Sequence, residues 1–147
     1  MDNTARKDFV SALLAGAYEE DGLLVRDVFR KSGWRLFEAP DRRRATECLK
    51  RHRIQVVIVK SDMPDWSWQE VLNHLRGLAH PPLLIVTSRT ADEYLWAEVL
   101  NIGGWDVLSQ PFERDEVVRV VASARRHFDR QPARAEGQPA DLATSVA

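Results

Sequence analysis

The chain has 147 residues, of which 44% are hydrophobic and 29% charged, a composition that suits one globular domain with a sizeable core. Its 21 basic and 22 acidic residues give a net charge of −1, which provides no overall attraction to nucleic acid or to a membrane surface. With a single cysteine, Cys48, no signal peptide and no apolar run near the roughly 18 residues that a membrane span needs, we expect a cytoplasmic protein.

The first part of the chain predicts a strand, a helix and a second strand. Residues 9–15 form a short apolar run that is typical of a buried strand. Residues 20–32 carry apolar side chains at helical spacing, with acidic residues at the start and basic residues before Gly33, as suits the helix dipole. Residues 34–38 then alternate like a second, shorter strand.

A second helix is predicted to begin after Asp41, a residue type that favours the N-cap position. Ala45, Cys48 and Leu49 share its inner face. Its basic residues are interpreted as a solvated face because no aromatic residue is interleaved with them; they are Arg42, Arg43, Arg44, Lys50, Arg51 and, just beyond the helix, Arg53.

The middle of the chain repeats the same order of elements. Residues 55–59 are apolar at their centre, as expected for a strand that is covered on both faces. Ser67 is a suitable cap for a third helix, which ends before Pro81 and Pro82. Its predicted buried positions are Val71, Leu72, Leu75 and Leu78. The fourth strand follows at residues 83–88.

A fourth helix is predicted over residues 91–102, with Leu95, Val99 and Leu100 facing inward and two glycines at its end. A short fifth strand follows over residues 105–108.

The last helix is predicted over residues 113–128, where valines form a broad apolar stripe. Few large apolar residues follow it, so we expect residues 129–147 to be a disordered tail. Residues 1–8 are expected to be a lead-in to one folded domain over residues 9–128.

Strict alternation of strands and helices predicts an α/β fold of the flavodoxin-like (βα)5 type, a three-layer sandwich. Its five parallel strands are expected in the order 2-1-3-4-5. In such a sheet the ligand site lies beyond the carboxyl ends of the strands. That edge is predicted to carry Gly16, Ala17, Lys60, Thr87 and Gln110.

Several short motifs occur in the order and at the spacing of a known family. A buried strand ends at Lys60 and runs into Met63-Pro64, and Thr87-Ser88 and Gln110-Pro111-Phe112 follow later. In these motifs the chain resembles the receiver domain of two-component response regulators, over residues 9–128. The resemblance implies a phosphorelay signalling context, and it implies a cis peptide bond before Pro111.

The resemblance also assigns site positions, and most of them carry a residue that departs from the family. The phosphoacceptor aspartate is replaced by Lys60, and the acidic pair that binds magnesium falls on Gly16 and Ala17. The phosphate-contacting lysine is replaced by Gln110, and the aromatic switch residue by Val107, whereas Thr87 is retained. We therefore expect no bound metal, no cofactor and no catalytic residue.

Two arrangements of Lys60 are expected. In one, its ammonium takes the metal's place and is balanced by Glu19, Glu20 or Asp62, which would hold one conformation permanently. In the other, it extends from the edge of the sheet into water. Asp62 and Asp65 lie in the turn after the strand, where aspartate favours a turn near proline, so neither is expected to replace the acceptor.

Two pairs of aromatic residues are candidates for a protein interface. Trp66 and Trp68 flank the loop after Lys60, where they serve either as interface anchors or as core packing. Tyr94 and Trp96 lie on the fourth predicted helix, off its inward stripe. In the family, the face formed by the fourth helix, fifth strand and fifth helix is often used for dimers and output domains.

The sequence therefore favours a stand-alone pseudo-receiver that acts through phosphate-independent protein contacts. Its expected partners are a histidine kinase or another signalling protein, or a second copy in a homodimer through the fourth helix, fifth strand and fifth helix. Two alternatives remain. One is a conventional phosphorelay receiver with an unrecognised acceptor, and the other is an unrelated enzyme on the same fold.

Overall fold

Strands and helices alternate throughout residues 9–131, the part of the chain that the computed structural model describes. The strands are β1 (Ser11–Ala15), β2 (Arg35–Ala39), β3 (Val56–Lys60), β4 (Leu83–Ser88) and β5 (Asp106–Ser109). The helices are α1 (Glu20–Ser32), α2 (Arg42–Arg51), α3 (Trp68–Arg76), α4 (Glu93–Ile102) and α5 (Arg114–Arg130). All strand pairings are parallel and the order is β2-β1-β3-β4-β5, so the predicted flavodoxin-like fold is confirmed.

The sheet is covered on both faces because its central strands are apolar on both sides. Side chains alternate along a strand, so Leu13 and Val57 enter one apolar layer, and Leu14 and Ile58 enter the other. The first layer packs under α2, α3 and α4, and the second under α1 and α5. The chain reverses direction across the sheet between β1 and β3, which places a crevice at the carboxyl ends of these strands.

Local capping interactions set the helix boundaries. The carboxylate of Asp41 accepts a hydrogen bond from the Arg44 amide at 2.9 Å, and Ser67 forms a capping box with Glu70. Gly33 ends α1 in the left-handed region at φ 72°, where glycine avoids the steric cost of a side chain. The predicted N-caps and the glycine stop are therefore confirmed.

One sequence-based expectation about side-chain burial is wrong, and the two alternatives for a pair of tryptophans are decided. Leu100 was predicted to face inward, but 38% of it is exposed. The reason is that α4 lies at the edge of the sheet beside the four-residue strand β5, and only Val99 of this helix is fully covered. Trp66 and Trp68 are 2% and 4% exposed and pack in the α2–α4 layer, so they are core residues and not surface anchors.

The ends of the domain differ slightly from expectation. Helix α5 continues to Arg130, two residues beyond the predicted end, and the Gln131 side chain donates to the Pro81 carbonyl at 3.0 Å. The predicted lead-in at 1–8 and residues 132–147 of the predicted tail lie outside the described residues. No helix within residues 9–131 has the length and apolar character needed to cross a membrane.

Removing a buried tryptophan is expected to reduce stability more than removing an exposed one. Replacing Trp66 by Ala removes a buried indole, so we expect the free energy of unfolding to fall by about 3–5 kcal/mol. The matched change Trp96→Ala removes an indole that is 51% exposed and is expected to cost less than about 1 kcal/mol. Urea denaturation of both variants measures the difference. Equal losses would contradict the assignment of Trp66 to the core.

Candidate functional site

Several predicted site residues meet at the carboxyl edge of the sheet. Lys60 is the last residue of β3 and lies in register with Thr87 of β4. Gly16 and Ala17 follow β1, and Gln110 follows β5. Parallel strands bring all their carboxyl ends to one edge, so the expected clustering of these five residues is present.

The Lys60 side chain takes neither of the two expected arrangements. Its ammonium donates a hydrogen bond to the Ala17 carbonyl at 2.9 Å and lies 5.3 Å from the centre of the Tyr18 ring. Within residues 9–131 it forms no ion pair, so the predicted balance by Glu19, Glu20 or Asp62 is wrong. The residue is also partly buried and folds back over the loop after β1, so it does not extend freely into water.

Gly16 and Lys60 fit each other closely. Gly16 has φ +116°, a backbone conformation that side chains disfavour. A Cβ atom at this residue would approach the Lys60 Cγ and Cδ atoms to 3.0 Å. An acidic residue at position 16 would therefore need both a backbone change and a shift of the lysine stem.

A chain of hydrogen bonds joins the carboxyl ends of β4 and β5 to α1. The Tyr18 hydroxyl lies 2.8 Å from Thr87 Oγ1, which donates to Gln110 Oε1 at 3.3 Å. Since the threonine hydroxyl has one hydrogen, Tyr18 is then the donor to Thr87. Gln110 Nε2 donates to Asp21 at 2.8 Å, and the other oxygen of Asp21 accepts from the Phe112 amide at 3.0 Å.

This chain of hydrogen bonds is largely shielded from water. Thr87 is fully buried and Gln110 is 8% exposed. Burial also raises the pKa of the Tyr18 phenol well above its ordinary value, so this hydroxyl is harder to ionise in the folded chain than in the unfolded one. The two residues to which the resemblance assigns phosphoryl contacts, Thr87 and Gln110, thus bond to each other and to neighbouring side chains.

Two members of this site, Tyr18 and Asp21, were not identifiable from the sequence. Tyr18 follows Ala17 directly, but nothing in the local pattern identifies its partner Thr87, which is 69 residues away. Asp21 was assigned to the acidic start of α1, whereas its carboxylate also reaches the segment after β5. The local signal was that Tyr18 follows the small residues Gly16 and Ala17 directly and that Asp21 comes three residues after it.

The residues at this edge do not fit a magnesium ion. Magnesium is held by carboxylate and other oxygen ligands, but here an ammonium occupies the end of β3. Asp21 is engaged by Gln110 and by the Phe112 amide. Across residues 9–131 there is no group of three or more histidine, cysteine, aspartate or glutamate side chains that could hold a metal ion.

The segment around β5 contains the remaining predicted positions. Val107 is 8% exposed, and the Gln110–Pro111 peptide bond is cis, the isomer that the resemblance implies. Val107 also lines an open groove of about 340 Å³ together with Asp92, Glu93, Trp96 and other residues.

The aromatic residues of α4 are accessible to a partner. Tyr94 is 86% exposed and Trp96 is 51% exposed. The Trp96 indole nitrogen donates to Asp106 at 3.3 Å, which orients the ring beside the groove. The two residues proposed as contacts are therefore exposed in the structure, in contrast to Trp66 and Trp68.

Comparisons with known proteins agree on one family. The model of the family described as "Response regulator receiver domain" matches residues 23–122. The uncharacterized transcriptional regulatory protein YrkP of Bacillus subtilis is 32% identical over 112 residues, which are 74% of this chain and 47% of YrkP. The transcriptional regulatory protein KdpE of Mycobacterium tuberculosis is 31% identical over 65% of this chain and 42% of KdpE. The chain thus spans less than half the length of these relatives.

Solved structures support the fold. The signal receiver domain of an HD domain-containing protein from Pseudomonas fluorescens has a TM-score of 0.73 and is 20% identical, covering 83% of this chain and 98% of that domain. At this identity the likeness concerns the fold alone.

The hydroxyl groups of Tyr18 and Tyr94 are expected to contribute differently to the free energy of unfolding. Tyr18→Phe removes the bond to Thr87, so we expect the free energy of unfolding to fall by about 0.5–1.5 kcal/mol, whereas Tyr94→Phe changes an exposed residue and should have no measurable effect. Urea denaturation at neutral pH measures both.

Because the folded-state pKa of Tyr18 is raised, its stabilising effect is present below about pH 10, the unfolded value, and falls as the pH rises further. An alkaline loss of stability that is identical in Tyr18→Phe and wild type would contradict this assignment.

Proposed function

This chain belongs to the response regulator receiver domain family, and from that premise we propose that it is a pseudo-receiver that signals through protein contacts without being phosphorylated. Receiver domains are signalling modules of two-component systems, and they interact with histidine kinases and other partner proteins. In a conventional receiver a phosphoryl group is transferred to an aspartate, and we propose that this chain omits that step.

The observation that carries the proposal is the arrangement of Lys60. Phosphoryl transfer to a receiver needs a carboxylate nucleophile and a metal ion that offsets the charge of the phosphate. A lysine amine does not form an acyl phosphate, and its positive charge repels a metal cation. The contacts of Lys60 with Ala17 and Tyr18 support the interpretation that this position has a structural role.

The hydrogen bonds of Tyr18 give further support. With Thr87 and Gln110 already bonded, an incoming phosphoryl group would have to displace the partly buried phenol. The cost of leaving these buried polar groups unpaired would oppose that displacement. We therefore propose that the site holds one arrangement without a chemical trigger.

Helix α4 is the proposed contact surface, since Tyr94 and Trp96 are exposed there beside an open groove. Aromatic residues of this kind are frequent anchors in protein interfaces. The proposed partner is a histidine kinase or another signalling protein, in the cytoplasm. A homodimer through α4, β5 and α5 remains a prediction.

Incubation with acetyl phosphate and magnesium tests the absence of phosphorylation. We expect no gain in intact mass and no change in tryptophan fluorescence, because no acceptor or metal ligands are available at Lys60. A receiver that has an aspartate at the corresponding position provides the positive control.

A stable gain of one phosphoryl group would overturn the proposal. In that case Asp62→Asn and Asp65→Asn variants locate the acceptor, since these two carboxylates follow β3 directly. Loss of the mass gain in one of them would identify a conventional receiver with an unusual acceptor.

The contact surface is tested by affinity capture from cells of the source organism. We expect partner proteins to be captured by wild type and lost with Tyr94→Ala/Trp96→Ala, because truncation of exposed aromatic anchors weakens binding without removing core contacts. Leu23→Ala, which alters a residue of α1 that is 60% exposed, is the matched control. Unchanged capture by the Tyr94/Trp96 variant would contradict the role of α4.

A further inference from the structure

Charge is strongly segregated in this nearly neutral chain. The segment 41–53, which contains α2, has six arginine or lysine residues against two carboxylates, Asp41 and Glu47. The segment 90–113, which contains α4 and β5, has five carboxylates and no lysine or arginine. The net charge of −1 conceals these two opposite surfaces.

The cations of the α2 segment have no carboxylate partner within the described part of the chain. All six are exposed, and none forms an ion pair in residues 9–131. Arg42 lies 5.6 Å from the centre of the Trp66 ring, and Arg53 lies 3.2 Å from His80 Nδ1, so two of them have other contacts. No group within residues 9–131 bonds to the guanidinium groups of Arg43, Arg44 and Arg51. We call the exposed surface formed by the six cations, Arg42, Arg43, Arg44, Lys50, Arg51 and Arg53, the basic face.

Helix α4 presents the complementary chemistry. Tyr94 and Trp96 are exposed between the carboxylates of Glu93 and Glu98 and the Asp92 N-cap. None of these three carboxylates forms an ion pair within residues 9–131, although Glu98 accepts a hydrogen bond from Gln69 at 3.2 Å. We call this surface, formed by Asp92, Glu93, Tyr94, Trp96 and Glu98, the acidic aromatic face.

The two faces cannot meet within one molecule. Helix α2 packs on β2 and β1, at one edge of the sheet, and α4 packs on β5, at the other edge. Both helices belong to the same layer, so the faces lie at its opposite ends. Two copies of the chain, in contrast, are able to bring them together.

We propose that the basic face of one copy docks on the acidic aromatic face of a second copy, in a head-to-tail contact. This inference rests on the proposed role of α4 as a contact surface and names a second copy as its occupant. Arginine suits this contact because its planar guanidinium pairs with carboxylates and stacks on indole or phenol rings. The groove beside Trp96, which Asp92, Glu93 and Glu116 also line, offers both kinds of partner.

The charge pattern favours this contact over two other occupants. A two-fold dimer of α4 against α4 would bring the carboxylates of the two copies together, and like charges across an interface are unfavourable. Binding of nucleic acid to the basic face would satisfy its arginines but leave the acidic aromatic face uncovered. A head-to-tail contact uses both faces. Because such a contact is heterologous, it produces open chains unless the rotation that relates one copy to the next closes a ring.

Sedimentation velocity of the full chain over a range of concentrations tests the proposal, with charge reversals on each face. We expect wild type to self-associate in a concentration-dependent way, more weakly as salt rises from about 0.15 M to about 1 M. Arg44→Glu/Arg51→Glu on the basic face and Glu93→Lys/Glu98→Lys on the acidic aromatic face should each raise the apparent Kd by about tenfold or more. Arg126→Glu/Arg130→Glu, with the same charge change on exposed residues of α5, should associate like wild type.

Mixing the two reversed variants provides the decisive measurement. In the mixture, the unaltered acidic aromatic face of the first variant meets the unaltered basic face of the second, so we expect association between the two variants that neither shows alone. Restoration also shows that the variants are folded.

Three outcomes would overturn the inference. The first is wild type that remains monomeric up to about 1 mM. The second is an Arg44→Glu/Arg51→Glu variant that associates like wild type, which would indicate a two-fold contact. The third is binding of duplex DNA to the basic face in place of self-association. None of these outcomes touches the proposed function, whose own failure would appear as phosphorylation or as partner capture that is insensitive to Tyr94→Ala/Trp96→Ala.

Discussion

A single hydrogen bond, from the Lys60 ammonium to the Ala17 carbonyl, organises the carboxyl edge of the sheet. It draws the lysine stem across the loop after β1, and this position of the stem requires a residue without a side chain at Gly16. The same path brings the ammonium over the ring of Tyr18. The phenol then lies against Thr87, and the contacts of Gln110 and Asp21 complete the arrangement.

For signalling, the quantity that matters is the relative population of the conformations of the domain. A ligand shifts an equilibrium between two states only through a difference in its affinity for them. In this domain the contacts at the end of β3 come from the chain itself, so their contribution to that equilibrium is fixed by the sequence. In the proposed pseudo-receiver, a macromolecule that binds on α4 would alter the balance through its own coupling free energy.

The fold was predictable from the sequence because five apolar strand segments alternate with five helices, a pattern that few topologies satisfy. The bounds of β4 were predicted correctly, whereas each of the other strands begins or ends one or two residues from its predicted position, since register and not hydrophobicity sets the ends. Lys60 belongs to β3 although it is charged. The burial of Trp68 was left open between an interface and the core, although its position on one helical stripe with Val71, Leu72 and Leu75 favours the core. The roles of Tyr18 and Asp21 were not predictable, since their partners lie 69 or more residues away and no local periodicity relates them.

The close fit of Gly16 to Lys60 also bears on how such a domain changes during evolution. An aspartate at position 16 would meet the Lys60 stem at 3.0 Å in a backbone conformation that side chains disfavour, and an aspartate at position 60 would remove the ammonium that bonds to the Ala17 carbonyl. Each of the two substitutions therefore alters contacts that involve the other position. Such mutual dependence is epistasis: the effect of an acidic residue at position 16 differs according to whether position 60 carries a lysine.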